Sequence, residues 1–153
     1  MMTAENPLPI IPPSPDTIPV RLRGEKRWAP WRAVWSEKKQ KYEKIPHRAD
    51  RPEFGLSNKT PAGWVTFDRA MEAYRANPAK FAGVGYLMTG QHGVTGIDLD
   101  HCVRNGQVDP WAAEIAAKFD SYTEISPSGT GLHIMIDGDI DSDWANHEVQ
   151  QGI

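Results

Sequence analysis

Two stretches of the chain hold residues whose types and spacing suit chemistry on phosphates. The first is Gly96-Ile97-Asp98-Leu99-Asp100. Its apolar run reads as a strand, and two carboxylates one residue apart on a strand project to the same face. Unpartnered, the two acids repel each other, and Mg²⁺ or Mn²⁺, hard ions that take oxygen ligands, would relieve that repulsion. An Asp-x-Asp pair also occurs where a strand simply runs into a turn with its second acid in solvent. From these residues alone both readings stand.

The second stretch is Ser126-Pro127-Ser128-Gly129-Thr130-Gly131-Leu132-His133. Small residues there leave backbone N–H groups and hydroxyls open to close approach by an anion, as in loops that cradle phosphates. His133, at the start of the following strand, can donate a hydrogen bond to a phosphate oxygen. A glycine turn ahead of an ordinary strand histidine has the same composition. The Gly-x-x-x-x-Gly-Lys pattern of a Walker loop is absent.

The elements that must position these groups follow from periodicity. Trp31-Arg32-Ala33-Val34-Trp35 alternates with the period of a half-buried strand, and Lys41-Tyr42-Glu43-Lys44-Ile45-Pro46 is its return strand, with a turn near Ser36 to Gln40. Thr66 is placed to cap a helix through Ala76, with Phe67, Ala70, Met71 and Tyr74 on its inward face and Asn77-Pro78 at its end. Val84 to Thr89 and Val94 to Leu99, separated by Gly90-Gln91-His92-Gly93, predict an antiparallel hairpin. Asp109-Pro110 predicts a second helix through Phe119, with Trp111, Ile115 and Phe119 on one stripe. Tyr122 to Ile125 and Leu132 to Ile136 read as strands on either side of the Ser- and Gly-rich loop. The order predicts an α+β domain, a mainly antiparallel sheet with two principal helices.

With 153 residues, 39% hydrophobic and 24% charged, the chain has the size and composition of one folded domain. Six prolines in the first twenty residues predict an extended, disordered tail over 1–20, ahead of a domain over 21–153. No apolar run suits a membrane span and no secretory leader is recognisable, so a cytoplasmic protein without a membrane partner is expected. One cysteine, Cys102, gives no basis for a disulfide or a structural zinc site. Charge is segregated: residues 21–51 carry eleven of the seventeen Lys and Arg but only four acids, whereas residues 52–153 carry six basic and fourteen acidic residues. That pattern suits a protein that holds polyanions with one part and metal ions with another, and equally a solvated charged hairpin.

Taken in order, Gly96-Ile97-Asp98-Leu99-Asp100-His101-Cys102 and Tyr122-Thr123-Glu124-Ile125-Ser126-Pro127-Ser128-Gly129-Thr130-Gly131-Leu132-His133 resemble the archaeo-eukaryotic primase superfamily, in its phage and plasmid primase-polymerase branch. The resemblance extends through Trp31, Lys44-Ile45-Pro46 and Trp64-Val65-Thr66-Phe67, covering about residues 28 to 153. It implies a partial primase-polymerase catalytic fold and template-directed nucleotidyl transfer in DNA replication. It implies Asp98 and Asp100 as metal ligands and catalytic residues, with Mg²⁺ or Mn²⁺ as cofactor. His133 would contact the triphosphate, and Ser126, Ser128, Gly129 and Lys44 would lie near the nucleotide. Implied partners are nucleoside triphosphates and a single-stranded DNA template with its primer, and a replicative helicase is a candidate. Lys41 could meet nucleic-acid backbone, and Trp28, Trp31 and Trp35 could stack on bases or fill the core.

The family pattern also has a third acid on a later strand. Asp137, Asp139, Asp141 and Asp143 lie in a turn-like run, Glu148 fits the expected apolar setting poorly, and Gln151-Gly152-Ile153 reads like the entry to that strand. The chain therefore reads as a domain lacking its C-terminal part, with activity in doubt. Two other readings compete. A metal-dependent nuclease or phosphohydrolase would use Asp98 and Asp100 without nucleotides, and a non-catalytic nucleic-acid-binding replication module would not need them.

Overall fold

A computed structural model describes residues 11–88 and 92–139 of the protein. In chain order its elements are α1 (Val20–Gly24), β1 (Trp28–Ser36), β2 (Lys41–Pro46), α2 (Phe67–Ala76), β3 (Gly83–Tyr86), β4 (Val94–Leu99), β5 (Val103–Arg104), β6 (Gln107–Val108), α3 (Pro110–Phe119), β7 (Thr123–Ile125) and β8 (Leu132–Asp137). The fold is α+β and every strand pair is antiparallel. Among the described residues no helix is long and apolar enough to cross a membrane.

The β1–β2 hairpin forms where alternation predicts it, with Trp35 opposite Tyr42 and Ala33 opposite Lys44. The expected hairpin between Val84 to Thr89 and Val94 to Leu99 does not form. Instead β3 pairs with β1, giving a sheet of order β2-β1-β3, while β4 pairs with β8 in a second sheet of order β4-β8-β7. A glycine-bearing spacer allows a hairpin but does not choose the partner. Here β3 is bound by Trp28 to Trp31 along one edge and β4 by the full length of β8.

The third pair, β5–β6, turns through Asn105 (φ 52°) and Gly106 (φ 76°). Two successive positive φ angles suit a two-residue hairpin turn, for which Asn-Gly is the favoured sequence.

Each sheet is covered by one helix. Phe67, Ala70 and Met71 of α2 are buried with Trp28 of the first sheet, Leu22 of α1 and Val94. The Trp28 and Phe67 rings meet edge to face at 4.8 Å, and Trp28 Nε1 donates to Leu22 O at 2.8 Å. Truncating a ring as enclosed as Phe67 costs about 3–5 kcal/mol, so this contact decides whether the first sheet keeps its helix.

On the second sheet Leu132 packs with Ala112 of α3, Cys102 and Val103. The stripe on α3 is rotated from expectation: Ala112 is fully buried while Phe119 is exposed. Small Ala112 brings the helix close to the sheet, and Phe119 lies at the helix end, next to Asp120 in the left-handed region. Thr66 and Asp109 occupy the N-cap positions without making side-chain cap bonds; Asp109 pairs with Arg104 instead.

The proline-rich segment from Ile11 onward is extended apart from a 3-10 turn at Pro15–Thr17, and it lies against the body. Ile11 N donates to Pro127 O at 3.0 Å, and Ile18 packs on the Leu22–Trp28 cluster.

Candidate functional site

Strand register builds the site. In the second sheet Asp98 on β4 stands opposite His133 on β8, and His133 stands opposite Glu124 on β7. Directly opposed residues of antiparallel strands project on the same side, so the three side chains form one row across the sheet. The neighbouring residues Leu99 and Leu132 project to the other face and pack toward α3. Alternation thus separates a core face from a polar face.

Within the row, His133 Nδ1 donates to Glu124 Oε1 at 3.1 Å, and Tyr122 Oη donates to Glu124 Oε2 at 2.6 Å. Burial raises the Glu124 pKa, but the hydrogen bonds from His133 and Tyr122 outweigh it and hold the carboxyl below its ordinary value. An ionised Glu124 fixes His133 with its proton on Nδ1 and turns Nε2 toward Asp98, whose Oδ1 is 3.6 Å away. That distance is too long for a hydrogen bond, and the Asp98 carboxylate is 74% exposed. Asp98 is thus available to a ligand.

The Ser126–Gly131 loop joins β7 to β8 beside the end of β4. Ser126 N donates to Gly131 O at 2.8 Å, Gly129 N to Ser126 O at 2.8 Å and Gly131 N to Ser126 Oγ at 3.1 Å. These N–H groups, read from sequence as open to an anion, are used inside the loop, and Ser126 is buried. Facing outward instead are the exposed hydroxyls of Ser128 and Thr130, which bond each other at 2.9 Å. Thr130 O receives Cys102 N and Val103 N, tying the loop to the segment that follows Asp100. A Cβ on Gly131 would lie 2.7 Å from Leu99 O, so only glycine lets the loop sit this close to the end of β4.

Across a cleft of about 690 Å³ stands the first sheet. Trp31, Lys44 and Pro46 line this wall, and Asp98, Glu124 and His133 line the other. Burial pushes the Lys44 ammonium below its ordinary pKa, while Asp98, Glu124 and Asp100 pull the other way. Lys44 Nζ also lies 5.9 Å from the Trp31 ring centroid. Lys44 is exposed, as Lys41 is, but it stands in the cleft wall within electrostatic reach of the acids, whereas Lys41 does not line the cleft. Pro12, Ser14 and Thr17 of the N-terminal segment edge the same cleft.

Asp100 falls just past β4, in a turn completed by His101 with φ 54°. Both acids nevertheless lie close enough to raise the Lys44 pKa, although only Asp98 lines the cleft. Among the described residues no group of three His, Cys, Asp or Glu side chains is arranged to hold an ion alone. The donor set of Asp98 and Asp100 still fits Mg²⁺ or Mn²⁺, since such ions are commonly held by one or two carboxylates and completed by water and substrate phosphates. Of the other acids weighed, Asp137 pairs with Arg21, and Asp139 accepts from His92 N and Gly93 N. Asp141, Asp143 and Glu148 lie outside the described residues.

Sequence reasoning missed Glu124 as part of the site. The signal lay in Tyr122-Thr123-Glu124, where alternation points Tyr122 and Glu124 to one face, but only the register with β8 puts that face beside His133. The three tryptophans separate: Trp28 and Trp31 are core, and Trp35 is partly exposed against Tyr42.

No protein-family model matches the chain. The DNA primase-polymerase of Nitratiruptor phage NrS-1 is 33% identical to it over 134 residues. That match covers 84% of this chain and 17% of the phage protein, so the chain spans a small part of the relative's length.

Proposed function

The chain belongs with the phage primase-polymerase domains, and from that premise we propose that it carries the nucleotide- and metal-binding face of a template-directed nucleotidyltransferase acting in DNA replication. The observation that supports this most is the row Asp98–His133–Glu124 across three adjacent strands, with Lys44 opposite it in one cleft.

In this reading Asp98 and Asp100 hold Mg²⁺ or Mn²⁺, which when bound neutralises phosphate charge and favours the alkoxide form of an attacking hydroxyl. His133 presents its Nε2 side to the triphosphate while Glu124 keeps Nδ1 occupied. Lys44 supplies positive charge from the facing wall of the cleft. Ser128 offers its hydroxyl at the loop surface. Ser126 is buried and shapes the loop, its Oγ accepting from Gly131 N and bonding Ser128 Oγ. A single-stranded template with its primer is the substrate that completes the reaction.

Titration calorimetry with Mn²⁺ and a deoxynucleoside triphosphate tests the binding step. Heat of binding that disappears in Asp98→Ala/Asp100→Ala supports the reading, and the absence of heat from the native chain sinks it. Template-dependent incorporation of a labelled nucleotide, lost in the same variant, tests the transfer step. Cleavage of DNA without added nucleotide would instead identify a nuclease.

A further inference from the structure

The hairpin wall continues beyond the cleft. Trp31, Ala33 and Trp35 alternate along β1 opposite Pro46, Lys44 and Tyr42 of β2, so these three pairs share one face. The inner members Trp31, Lys44 and Pro46 line the cleft, which fixes that face as the one turned toward Asp98 and His133. Trp35 and Tyr42 are the next pair outward, roughly 7 Å further along the strands at the usual rise per residue.

Their rings meet edge to face at 5.2 Å. Neither belongs to any buried cluster of the described residues, and among those residues β2 is an edge strand paired with β1. A Trp–Tyr pair placed only to fill a core would have a third element packed on it. Beside the pair the turn carries Lys38 and Lys39, while Lys41 opens β2 opposite Ser36 and projects to the other face. Lys39 pairs with Glu43, whereas Lys38 and Lys41 are exposed and in no ion pair among the described residues.

We infer that Trp35 and Tyr42 form a stacking platform for bases of a single-stranded nucleic acid entering the cleft, with Lys38 of the adjoining turn meeting its phosphates. Aromatic faces accept any base, and a lysine beside them supplies sequence-independent attraction to the backbone. The two features together favour a single strand, because bases paired within a duplex do not expose their faces. The inference builds on the nucleotidyltransferase reading, since a strand held here would lead toward Asp98 and Lys44.

The test is fluorescence anisotropy with a labelled oligothymidylate of about a dozen nucleotides, on the full chain and without nucleotide or metal. Trp35→Thr/Tyr42→Thr, which keeps β-favouring residues, should weaken binding roughly ten- to a hundredfold, and Trp35→Phe/Tyr42→Phe should stay close to native. Lys38→Glu should weaken binding and reduce its salt dependence, and Lys41→Glu, on the other face, should do so less. A native protein that does not bind the oligonucleotide, or a cooperatively folding Thr variant that binds like native, overturns the platform. A second measurement needs no variant: photocrosslinking of an iodouracil-substituted strand should label the peptide holding Trp35 or Tyr42, and labelling confined to other peptides overturns the inference. If the native chain binds the strand through this pair but gives no heat with Mn²⁺ and a nucleoside triphosphate, the platform stands and the nucleotidyltransferase reading fails.

Discussion

Glu124 Oε1 receives the Nδ1 proton of His133 at 3.1 Å from the adjacent strand, so the histidine's orientation toward Asp98 is set by a residue that does not face Asp98 itself. The pair is the most local piece of preorganisation in the cleft. Four consequences can be measured.

Glu124→Ala frees the imidazole to rotate and to exchange tautomers. Triphosphate affinity should fall roughly two- to tenfold, the range expected for one lost hydrogen bond. Glu124→Gln can still accept from Nδ1 and should recover part of the loss. Imidazole ¹⁵N shifts should report a single tautomer in the native protein and a mixture in the Ala variant. Unchanged shifts would mean that His133 is held by something else.

The same carboxyl links folding to pH. Burial raises its pKa, the bonds from His133 and Tyr122 lower it more, and the result lies below the ordinary 4.5. A depressed carboxyl pKa contributes stability above the unfolded value, and that contribution is lost as pH falls through the folded one. Thermal melts should therefore show a steeper decline below about pH 4.5 in the native protein than in Glu124→Gln. Parallel acid limbs for the two proteins would contradict the assignment.

Lys44 is an exposed cation in the cleft wall whose pKa is nevertheless lowered, chiefly by desolvation of its ammonium. Lys44→Met keeps the apolar stem against Trp31 and removes the desolvated charge. Thermal stability should be unchanged or higher, while triphosphate affinity falls roughly tenfold or more, as for a lost charge-assisted contact. A variant that loses both together would identify Lys44 as structural.

At Gly131 a methyl group would meet Leu99 O at 2.7 Å, a backbone atom that cannot move without disturbing β4. Gly131→Ala should cost about 1–3 kcal/mol in denaturant unfolding. It should also weaken triphosphate binding by shifting Ser128 away from the end of β4. Native-like stability would show that the loop yields more easily than its bonds to Cys102 and Val103 indicate.

By itself the sequence determined the parts that depend on near neighbours. The alternation of Trp31 to Trp35, the spacing of Phe67, Ala70 and Met71, and Asp109-Pro110 at a helix start all produced the elements they imply. The order of the Asp-x-Asp and Ser-Gly-His motifs was enough to point to the primase-polymerases, the relationship carried by the 33% identity to the phage protein.

Tertiary structure decided the partners. Nothing within Val84 to Leu99 indicates that β3 joins β1 while β4 joins β8, because strand pairing is settled by long-range burial and register. The sheets come to face one cleft only after that choice, and only then do Lys44 and Asp98 stand opposite each other and Glu124 beside His133. The same distinction separates Trp28 and Trp31 from Trp35: the three share one residue type and one strand, and the position of each relative to the covering elements decides whether its ring is core or surface.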